Sequence, residues 1–339
     1  MKVITFGEIM LRLAPYGYLK FLQSDSYEAT FGGGEANVAI SLANYGVDVS
    51  FVSKLPSHDI GQCAVNAIRK YGVDTSHIVR GGERVGIYYL EKGASQRASK
   101  VVYDRADSAI AKADVSDFHW DEIFKDVDIF HFTGITPAIS RKAYEITLEA
   151  CKVAKKKGIT ITCDLNFRKK LWTKAQANEA MRTLCKYVDV CIANEEDASD
   201  VFDISASDTS ITSGKLNHEG YIDVAKKLQE EFNFSHVAIT LRESISASDN
   251  RWSAMLYTNN QAYFSKSYDL RIVDRVGGGD SFGGGLIYSL LNKYSPQESI
   301  EFAVAASALK HSIQGDFNLV SVEEVKTLAD GDGSGRVQR

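Results

Sequence analysis

Asp274-Arg275-Val276-Gly277-Gly278-Gly279-Asp280-Ser281-Phe282-Gly283-Gly284-Gly285 is the most informative run of this sequence of 339 residues. Three successive glycines let neighbouring backbone N–H groups point at one spot, because no Cβ restricts them. Apolar residues with helical spacing follow at 286–291, and a helix N-terminus adds the positive end of its dipole. The run therefore predicts a hole for an anion such as a phosphate.

Asp280 stands at the start of this predicted helix, where its charge would repel a bound phosphate. A general base accounts for the residue, because a carboxylate beside an anion hole can accept the proton of a hydroxyl that attacks phosphorus. The alternative is a simple turn in which Asp280 caps the helix. No Lys-Ser/Thr pair follows the glycines, and their spacing is not Gly-x-Gly-x-x-Gly, so Walker A and dinucleotide sites are excluded.

Helix and strand patterns alternate outward from this run. Helical spacing occurs at 36–43, 141–157, 175–186 and 221–231, and short apolar runs occur at 3–6, 47–54, 159–165, 188–193 and 236–241. Such alternation predicts an α/β fold with a mainly parallel sheet that is covered by helices on both faces. The active groups are then expected at the carboxyl ends of the strands.

Two regions break the alternation. The segments 85–91 and 100–105 flank a turn with Gly93 and Ser95, as in a hairpin. With 10–13 and 27–30 they predict a small β-sheet lid, within about 10–30 and 84–106, that shields a reaction from water. Exposed apolar edges of this sheet predict a homo-oligomer.

Composition limits the partners and the compartment. The formal net charge is -5 and no long Lys/Arg run occurs, which argues against nucleic acid or an anionic membrane. No apolar run approaches the ~18 residues of a membrane span, and the N-terminus lacks a signal-peptide pattern, so a cytoplasmic protein is expected. The five cysteines contain no Cys-x-x-Cys pair, which predicts reduced thiols. We expect one domain over 1–330 and a disordered tail at 331–339.

Two signatures resemble a known family. The run at 274–285 resembles the C-terminal signature of the ribokinase-like PfkB carbohydrate kinases, and Gly32-Gly33-Gly34-Glu35-Ala36-Asn37-Val38-Ala39 resembles their N-terminal one. The similarity extends over about 1–330 and implies a ribokinase-like three-layer α/β sandwich with a small β-sheet lid. It also implies that ATP is the phosphoryl donor with Mg²⁺, that Gly277, Gly278 and Gly279 form the anion hole, and that Asp280 is the base.

Three departures narrow the resemblance. Arg275, Glu35 and Pro56 differ from the usual residues of the signatures and resemble the branch that phosphorylates 2-keto-3-deoxygluconate. A sugar acid needs a cation, and the bidentate fork of arginine suits a carboxylate. The resemblance implies these substrate-binding residues: Gly34, Tyr89, Tyr103, Arg105, Arg168, Asp280 and Asp316.

Each of these residues has a structural alternative. Arg105 can pair with Asp104 or Asp107, the two tyrosines can be lid packing, and Asp316 can shape a turn after Gly315.

The resemblance implies nucleotide contacts from four segments. Asn194-Glu195-Glu196-Asp197 follows a predicted strand and resembles the Asn-x-x-Glu motif of the family, which implies Mg²⁺ bound through water by Asn194 and Asp197. The alternative is a solvated acidic helix start. Thr240 to Ser244 resembles the segment that reaches ATP. The implied nucleotide-binding residues are Asn166, Arg168, Asn194, Thr240, Arg242, Ser244, Gly277 and Gly279.

The expected activity is ATP-dependent phosphorylation of 2-keto-3-deoxygluconate at its C6 hydroxyl. A fructokinase and a 5-dehydro-2-deoxygluconate kinase are alternatives within the family. A catalytically silent sugar- or nucleotide-binding protein on the same fold is an alternative of another class.

Overall fold

The structure is a computed structural model that describes residues 1–194, 196–206 and 218–333. Its strands are β1 (Lys2–Phe6), β2 (Met10–Ala14), β3 (Glu28–Gly32), β4 (Asp48–Leu55), β5 (Ile78–Arg80), β6 (Gly86–Glu91), β7 (Lys100–Asp104), β8 (Ile129–Thr133), β9 (Thr160–Asp164), β10 (Val190–Asn194), β11 (His236–Ser244), β12 (Asp249–Thr258), β13 (Gln261–Phe264) and β14 (Tyr268–Arg271). Its helices are α1 (Gly34–Asn44), α2 (Asp59–Arg69), α3 (Trp120–Ile123), α4 (Ile135–Ile139), α5 (Arg141–Lys156), α6 (Lys174–Leu184), α7 (Asp197–Phe202), α8 (His218–Phe232), α9 (Gly278–Leu291), α10 (Pro296–Lys310) and α11 (Val322–Ala329).

The larger sheet has the order β13-β12-β11-β10-β9-β8-β1-β4-β5, and β14 also pairs with β12. All pairs from β11 to β5 are parallel, whereas β12 pairs antiparallel with its three neighbours. The carboxyl ends of β1, β8, β9, β10 and β11 therefore lie along one edge, as the alternation of helices and strands predicts.

Helices cover both faces of this sheet, so the three-layer α/β sandwich is confirmed. Alternation along β8 shows the two layers, because Phe130 packs with the α5 and α6 side, whereas its neighbour Ile129 packs with α1 and α9. Helix α9 is buried between the sheet and α10. A Cβ on Gly285 would lie 2.9 Å from Cα of Ala303, so the second glycine run of 274–285 allows α9 and α10 to approach closely.

The smaller sheet has the order β3-β2-β6-β7. Its strands pair antiparallel except for β2 and β6, which are parallel. Three of the four lie within the segments predicted for the lid, β3 runs to Gly32 and so ends two residues beyond the predicted limit, and the turn between β6 and β7 contains Gly93 and Ser95. The small sheet stands over the carboxyl edge of the larger one, since residues of both line one cavity.

The five predicted thiols are free cysteines in the structure. Cys151, Cys163, Cys185 and Cys191 are buried free thiols, and Cys63 is an exposed one. No helix in the described part of the chain is long and apolar enough to cross a membrane. Of the predicted tail at 331–339, residues 334–339 lie outside the described residues, and the single-domain limits 1–330 stay a prediction.

Candidate active site

A cavity of about 380 Å³ opens where the carboxyl ends of the central strands face the small sheet. Both signature segments line it, although they are far apart in sequence. Of the residues predicted for the site, the cavity brings together Gly34, Tyr103, Arg105, Asn166, Arg168, Asn194, Asp197, Thr240, Arg242, Gly277, Gly278, Gly279, Asp280 and Asp316. Two predicted residues, Tyr89 and Ser244, are not among its lining residues.

The three glycines at the start of α9 are each required, or allowed, for a different physical reason. Gly277 has φ 81°, and a Cβ there would lie 2.0 Å from the carbonyl oxygen of Asp316. A Cβ on Gly278 would lie 2.5 Å from Cε1 of His311. Gly279 faces open space, with no atom within 4 Å of its Cβ position. The loop is therefore supported from behind and open in front, which suits backbone N–H groups that receive an anion.

Asp280 lies in the first turn of α9 and faces the cavity. Its Oδ2 accepts a hydrogen bond of 2.7 Å from Nδ2 of Asn37 on α1. Burial raises the pKa of Asp280 to about 6, against the opposing effects of this hydrogen bond and of the Arg168 charge. A carboxyl group with a pKa near 6 is mostly ionised at neutral pH and is a stronger base than a free aspartate, so the geometry suits proton abstraction.

Arg168 is a cation that lines the same cavity as Asp280. It lies in the loop after β9, and its Nη1 donates to the carbonyl oxygen of its neighbour Phe167. Among the described residues it forms no salt bridge. Burial raises the pKa of Asp164, Asp197 and Asp280, and the Arg168 charge acts against that rise. An arginine without a carboxylate partner, directed at a cavity, is suited to bind an anionic ligand group.

Arg105 has a carboxylate partner that the sequence reasoning did not find. Its guanidinium donates through Nε and Nη2 to Oε2 of Glu8, with 2.8 Å for the Nε contact, and both residues are buried. Ser108 donates to the other Glu8 oxygen at 2.7 Å. The alternative pairing with Asp104 or Asp107 is wrong. Glu8 follows β1 at the carboxyl edge of the sheet, which is the position that could have revealed it.

Asp316 is held by the lid. Arg12 of β2 donates to its Oδ1 at 2.6 Å, and the hydroxyl of Tyr88 on β6 donates to its Oδ2 at 2.5 Å. Arg12 also donates to Oδ2 of Asp274 at 2.5 Å. Arg12, Asp274 and Asp316 are all buried, so this network joins the small sheet to the anion-hole loop and to the C-terminal segment. Both Asp316 oxygens are thus engaged by the protein itself.

The cavity is lined by Tyr88 and not by its predicted neighbour Tyr89. Successive side chains of a strand point to opposite faces. On β6 this places Tyr88 at the cavity, whereas Tyr89 lies on the other face and packs edge-on against Tyr27 with 6.3 Å between ring centroids. Tyr103 of β7 lines the cavity, and the guanidinium of Arg105 lies 5.4 Å from its ring centroid.

The predicted nucleotide side of the cavity contains two arginines. Arg242 of β11 and Arg275 before the anion hole both line it, and burial followed by the Arg242 charge lowers the pKa of Arg275. Two like charges close together favour a bound anion between them. Ser244 lies further along β11, where it is exposed and outside the cavity lining. The sequence reasoning noted Arg275 only as a departure from the family pattern.

Asn194 and Asp197 form a closed turn after β10. Oδ1 of Asn194 accepts from the N–H groups of Glu196 and Asp197, and the Asp197 carboxylate accepts from the N–H groups of Phe167 and Asn194. Glu195 lies outside the described residues. Within the described ranges no group of three or more His, Cys, Asp or Glu side chains could hold a metal ion. These oxygens fit a metal ion through water better than by direct ligation.

Glu35 is a buried carboxyl group of the N-terminal signature. Its Oε1 accepts from the backbone N–H and the hydroxyl of Thr133 and from the hydroxyl of Thr136, at 2.9, 2.8 and 2.6 Å. Burial raises its pKa to about 7 despite these bonds. The contacts fix the start of α1 against the loop after β8, and both segments line the cavity.

Comparisons with known proteins identify the family. The pfkB family carbohydrate kinase pattern matches residues 1–318. The crystal structure of a 2-dehydro-3-deoxygluconokinase from Thermotoga maritima is 52% identical and superposes with a TM-score of 0.94 over 98% of each chain. A 2-dehydro-3-deoxygalactonokinase from Haloferax volcanii is 30% identical over 98% of each chain, and a 2-dehydro-3-deoxygluconokinase from Bacillus subtilis is 25% identical over 96% of this chain and 94% of its own. The chain belongs to the pfkB family of carbohydrate kinases.

Proposed function

We propose that this chain transfers the γ-phosphoryl group of ATP to the C6 hydroxyl of 2-keto-3-deoxygluconate, giving 2-keto-3-deoxy-6-phosphogluconate and ADP. 2-Keto-3-deoxygluconate is the sugar acid for which the similar Thermotoga maritima protein is named. The observation that carries the proposal is the position of Asp280 in one cavity with the anion-hole glycines and with Arg168, a cation without a carboxylate partner among the described residues.

The chemistry follows from the N-terminal turns of α9 and α1, which carry Asp280 and Asn37. Asp280 accepts the proton of the sugar hydroxyl as that oxygen attacks phosphorus, and Asn37 holds the carboxylate in position. The N–H groups of the loop at Gly277, Gly278 and Gly279 stabilise the charge that develops on the transferring phosphoryl group. The small sheet covers the cavity and limits access of water, which would otherwise compete with the sugar.

The nucleotide phosphates lie, in this proposal, between the anion hole and the arginine pair Arg242 and Arg275. Thr240 and Asn166 line the same region, and Asn194 and Asp197 hold Mg²⁺ through water. When bound, Mg²⁺ neutralises phosphate charge and orients the phosphates for in-line transfer.

The sugar acid is recognised at the other end. Arg168 takes the carboxylate, and Arg105 reaches the keto end while Glu8 fixes its orientation. Gly34 lies beside Asp280, with 3.6 Å from its Cβ position to Oδ1, so a side chain there would enter the space of the reacting hydroxyl. Tyr88 takes the place proposed from sequence for Tyr89.

Substrate comparison tests the proposal directly. ADP release from ATP and Mg²⁺ is measured with 2-keto-3-deoxygluconate, its C4 epimer 2-keto-3-deoxygalactonate, fructose, ribose and gluconate. The epimer is included because the Haloferax volcanii relative is named for it. Preference for a keto-deoxy acid is expected, and Asp280→Asn should lower kcat by about 10²–10⁴-fold. A neutral sugar as the best substrate would contradict the role of Arg168.

The sugar-acid clamp has its own matched control. Arg168→Met should raise KM for the acid substrate more than it lowers kcat, because it removes binding that is present before the reaction. Arg141→Met is the control, since Arg141 is an exposed arginine of α5 that pairs with Glu145 and lies over the Tyr144 ring, away from the cavity lining. Equal effects of Arg168→Met and Asp280→Asn on kcat would contradict the separate roles.

Association of chains is a further part of the proposal. The segment between β2 and β3 exposes Tyr16, Tyr18, Leu19 and Leu22, and β7 exposes Val102. Apolar residues on a small sheet with open edges favour burial against a second copy. Light scattering of the wild type and of Leu22→Glu tests this, because a homo-oligomer that uses the lid should dissociate in the variant, and a monomeric wild type would contradict it.

A further inference from the structure

Lys310, the last residue of α10, is a buried cation outside the set of predicted site residues. Its side chain is fully buried, with 0% exposure. Its Nζ donates to the carbonyl oxygens of Ile313 at 3.1 Å and Asp274 at 3.3 Å. Within residues 1–194, 196–206 and 218–333 no carboxylate oxygen lies within 4.0 Å of this ammonium group. Backbone carbonyls are therefore its ligands.

The lysine lies directly behind the anion hole. Its Cε would be 3.3 Å from a Cβ on Gly277, so the stem packs against the first glycine of the loop. Ser307 of α10 and His311, which directly follows that helix, hold the next glycine, because Ser307 Oγ donates to the carbonyl oxygen of Gly278 at 2.7 Å and the His311 ring lies next to Gly278. The end of α10 thus shapes the loop from 274 to 278.

The two carboxylates nearest to the loop behind which Lys310 lies are engaged by other cations. Arg12 binds the carboxylates of both Asp274 and Asp316, and Lys92 approaches Asp274 to 4.0 Å. With Lys310, three cations lie near three carboxylates, because the Asp280 charge also acts on Lys310. Among the described residues the Lys310 ammonium group has no ion pair of its own, and its charge opposes the rise in the pKa of Asp280 that burial causes.

We infer that Lys310 is a positioning residue for phosphoryl transfer. Its buried ammonium ion orients the carbonyl oxygens of the anion-hole loop, and its charge supports the N–H groups that face the transferring phosphoryl group. A neutral side chain could fill the same space without the large cost of burying a charge. A preorganised positive charge behind the loop stabilises the additional negative charge of the transition state. The inference rests on the proposed kinase function.

The consequence is a separation of kcat from KM. Charge that acts on the transferring group stabilises the transition state more than bound substrate, so its loss lowers kcat and leaves KM for the sugar nearly unchanged. A second consequence concerns pH. Burial lowers the pKa of Lys310 to about 8, against the charges of Asp274, Asp316 and Asp280 and together with that of Arg12. The ammonium ion therefore loses its proton as pH rises through about 8, and kcat should fall with it.

Two neutral variants test the inference on the full-length protein. Lys310→Met keeps the length of the stem, and Lys310→Gln keeps an N–H donor without a charge. Lys326→Met, on the exposed face of α11, is the control. We expect both Lys310 variants to lose at least tenfold in kcat, to keep KM for the sugar within threefold, and to lack the alkaline limb near pH 8 that the wild type shows.

The outcomes are distinct from those of the substrate comparison. Kinetics are measured with the sugar that the wild type prefers, so a neutral sugar as that substrate contradicts the proposed sugar acid without touching the inference, and loss of the kinase function appears as an inactive wild type. Wild-type kcat in Lys310→Gln overturns the inference, because hydrogen bonding without charge then suffices. If Lys310→Met does not fold, as judged by its thermal unfolding, Lys310→Gln alone decides. An alkaline limb that persists in a folded Lys310→Gln protein also overturns it.

Discussion

Nδ2 of Asn37 and Oδ2 of Asp280 are 2.7 Å apart, although 243 positions separate the two residues in sequence. Asn37 lies in the first turns of α1 and Asp280 in the first turn of α9, so each glycine run delivers one partner of this bond. The bond favours the ionised carboxylate and opposes the burial that raises the pKa of Asp280 to about 6. The two signatures are thus one functional unit.

Asn37→Leu should move the acid limb of the pH–rate profile. Without the amide donor, the pKa of Asp280 rises above about 6, so kcat/KM should reach its plateau at a higher pH than in the wild type. The measurement is kcat/KM between about pH 5 and pH 9. Asn66→Leu, on the exposed face of α2, is the control, and coincident profiles of Asn37→Leu and the wild type would contradict the link.

Gly278→Ala should lower kcat by about 100-fold, because a small displacement of reacting groups has effects of that size. The added Cβ would lie 2.5 Å from the His311 ring, which is itself held by a 2.7 Å contact from Nδ1 to the Ser307 carbonyl oxygen. Either the ring or the anion-hole loop must move.

Gly283→Ala, one turn further along α9, is the matched control. Its Cβ would meet no atom closer than 3.6 Å, so kcat should stay within twofold and the protein should gain up to about 1 kcal/mol in unfolding free energy from the better helix former. Steady-state kinetics and urea unfolding of both variants decide, and equal kcat values would show that the loop tolerates displacement.

Glu35→Gln should change how stability depends on pH. The folded-state pKa of about 7 is raised above the ordinary value of 4.5, so the folded protein binds this proton more tightly than the unfolded chain does. The resulting stabilisation is present below pH 4.5 and is lost as pH rises through about 7.

The variant, which cannot titrate at this position, should therefore match the wild type best at low pH and exceed it at pH 8 by up to about 3 kcal/mol, the equivalent of the pKa shift. Urea unfolding at a series of pH values measures the difference. Parallel curves for the two proteins would mean that Glu35 keeps the same pKa in both states.

Contiguous features of the site were predictable from sequence, whereas contacts between distant segments were not. Gly277, Gly278, Gly279 and Asp280 stand together in one run, and a glycine run at the start of a helix predicts an anion site without knowledge of any distant contact. The sequence prediction named Tyr89 where the structure has Tyr88 at the cavity, because a shift of one residue along a strand moves a side chain to the opposite face. No pattern within β6 shows which of the two tyrosines faces the cavity.

The pairing of Arg105 with Glu8, and the cation Lys310, depend on how loops meet at the sheet edge. Glu8 follows β1 and Arg105 follows β7, and their order in the sequence does not state that the small sheet folds over that edge. The sequence alone predicts that Lys310 is an ordinary basic residue at a helix C-terminus, and such a residue is normally exposed. Only the packing of α10 against the loop at 274–278 makes it a buried cation.

Arg12→Met should destabilise the protein by about 3–5 kcal/mol, the cost of removing one partner from a buried ion pair. Arg12 is the cation that both buried carboxylates of the lid network share, and its loss leaves Asp274 and Asp316 close together without it. Combining Arg12→Met with Asp316→Asn should restore part of the stability, because the double variant has one buried charge fewer than Arg12→Met alone.

Arg84→Met is the control. It removes a partly exposed arginine next to the same small sheet, paired with Asp104 at 2.9 Å, and should cost less than about 1 kcal/mol of unfolding free energy. Urea unfolding of the four proteins measures these differences. If Arg12→Met and Arg84→Met have equal effects, burial adds nothing to the attachment of the lid; if Arg12→Met alone is severe, the small sheet is anchored by charge to the loop that forms the anion hole.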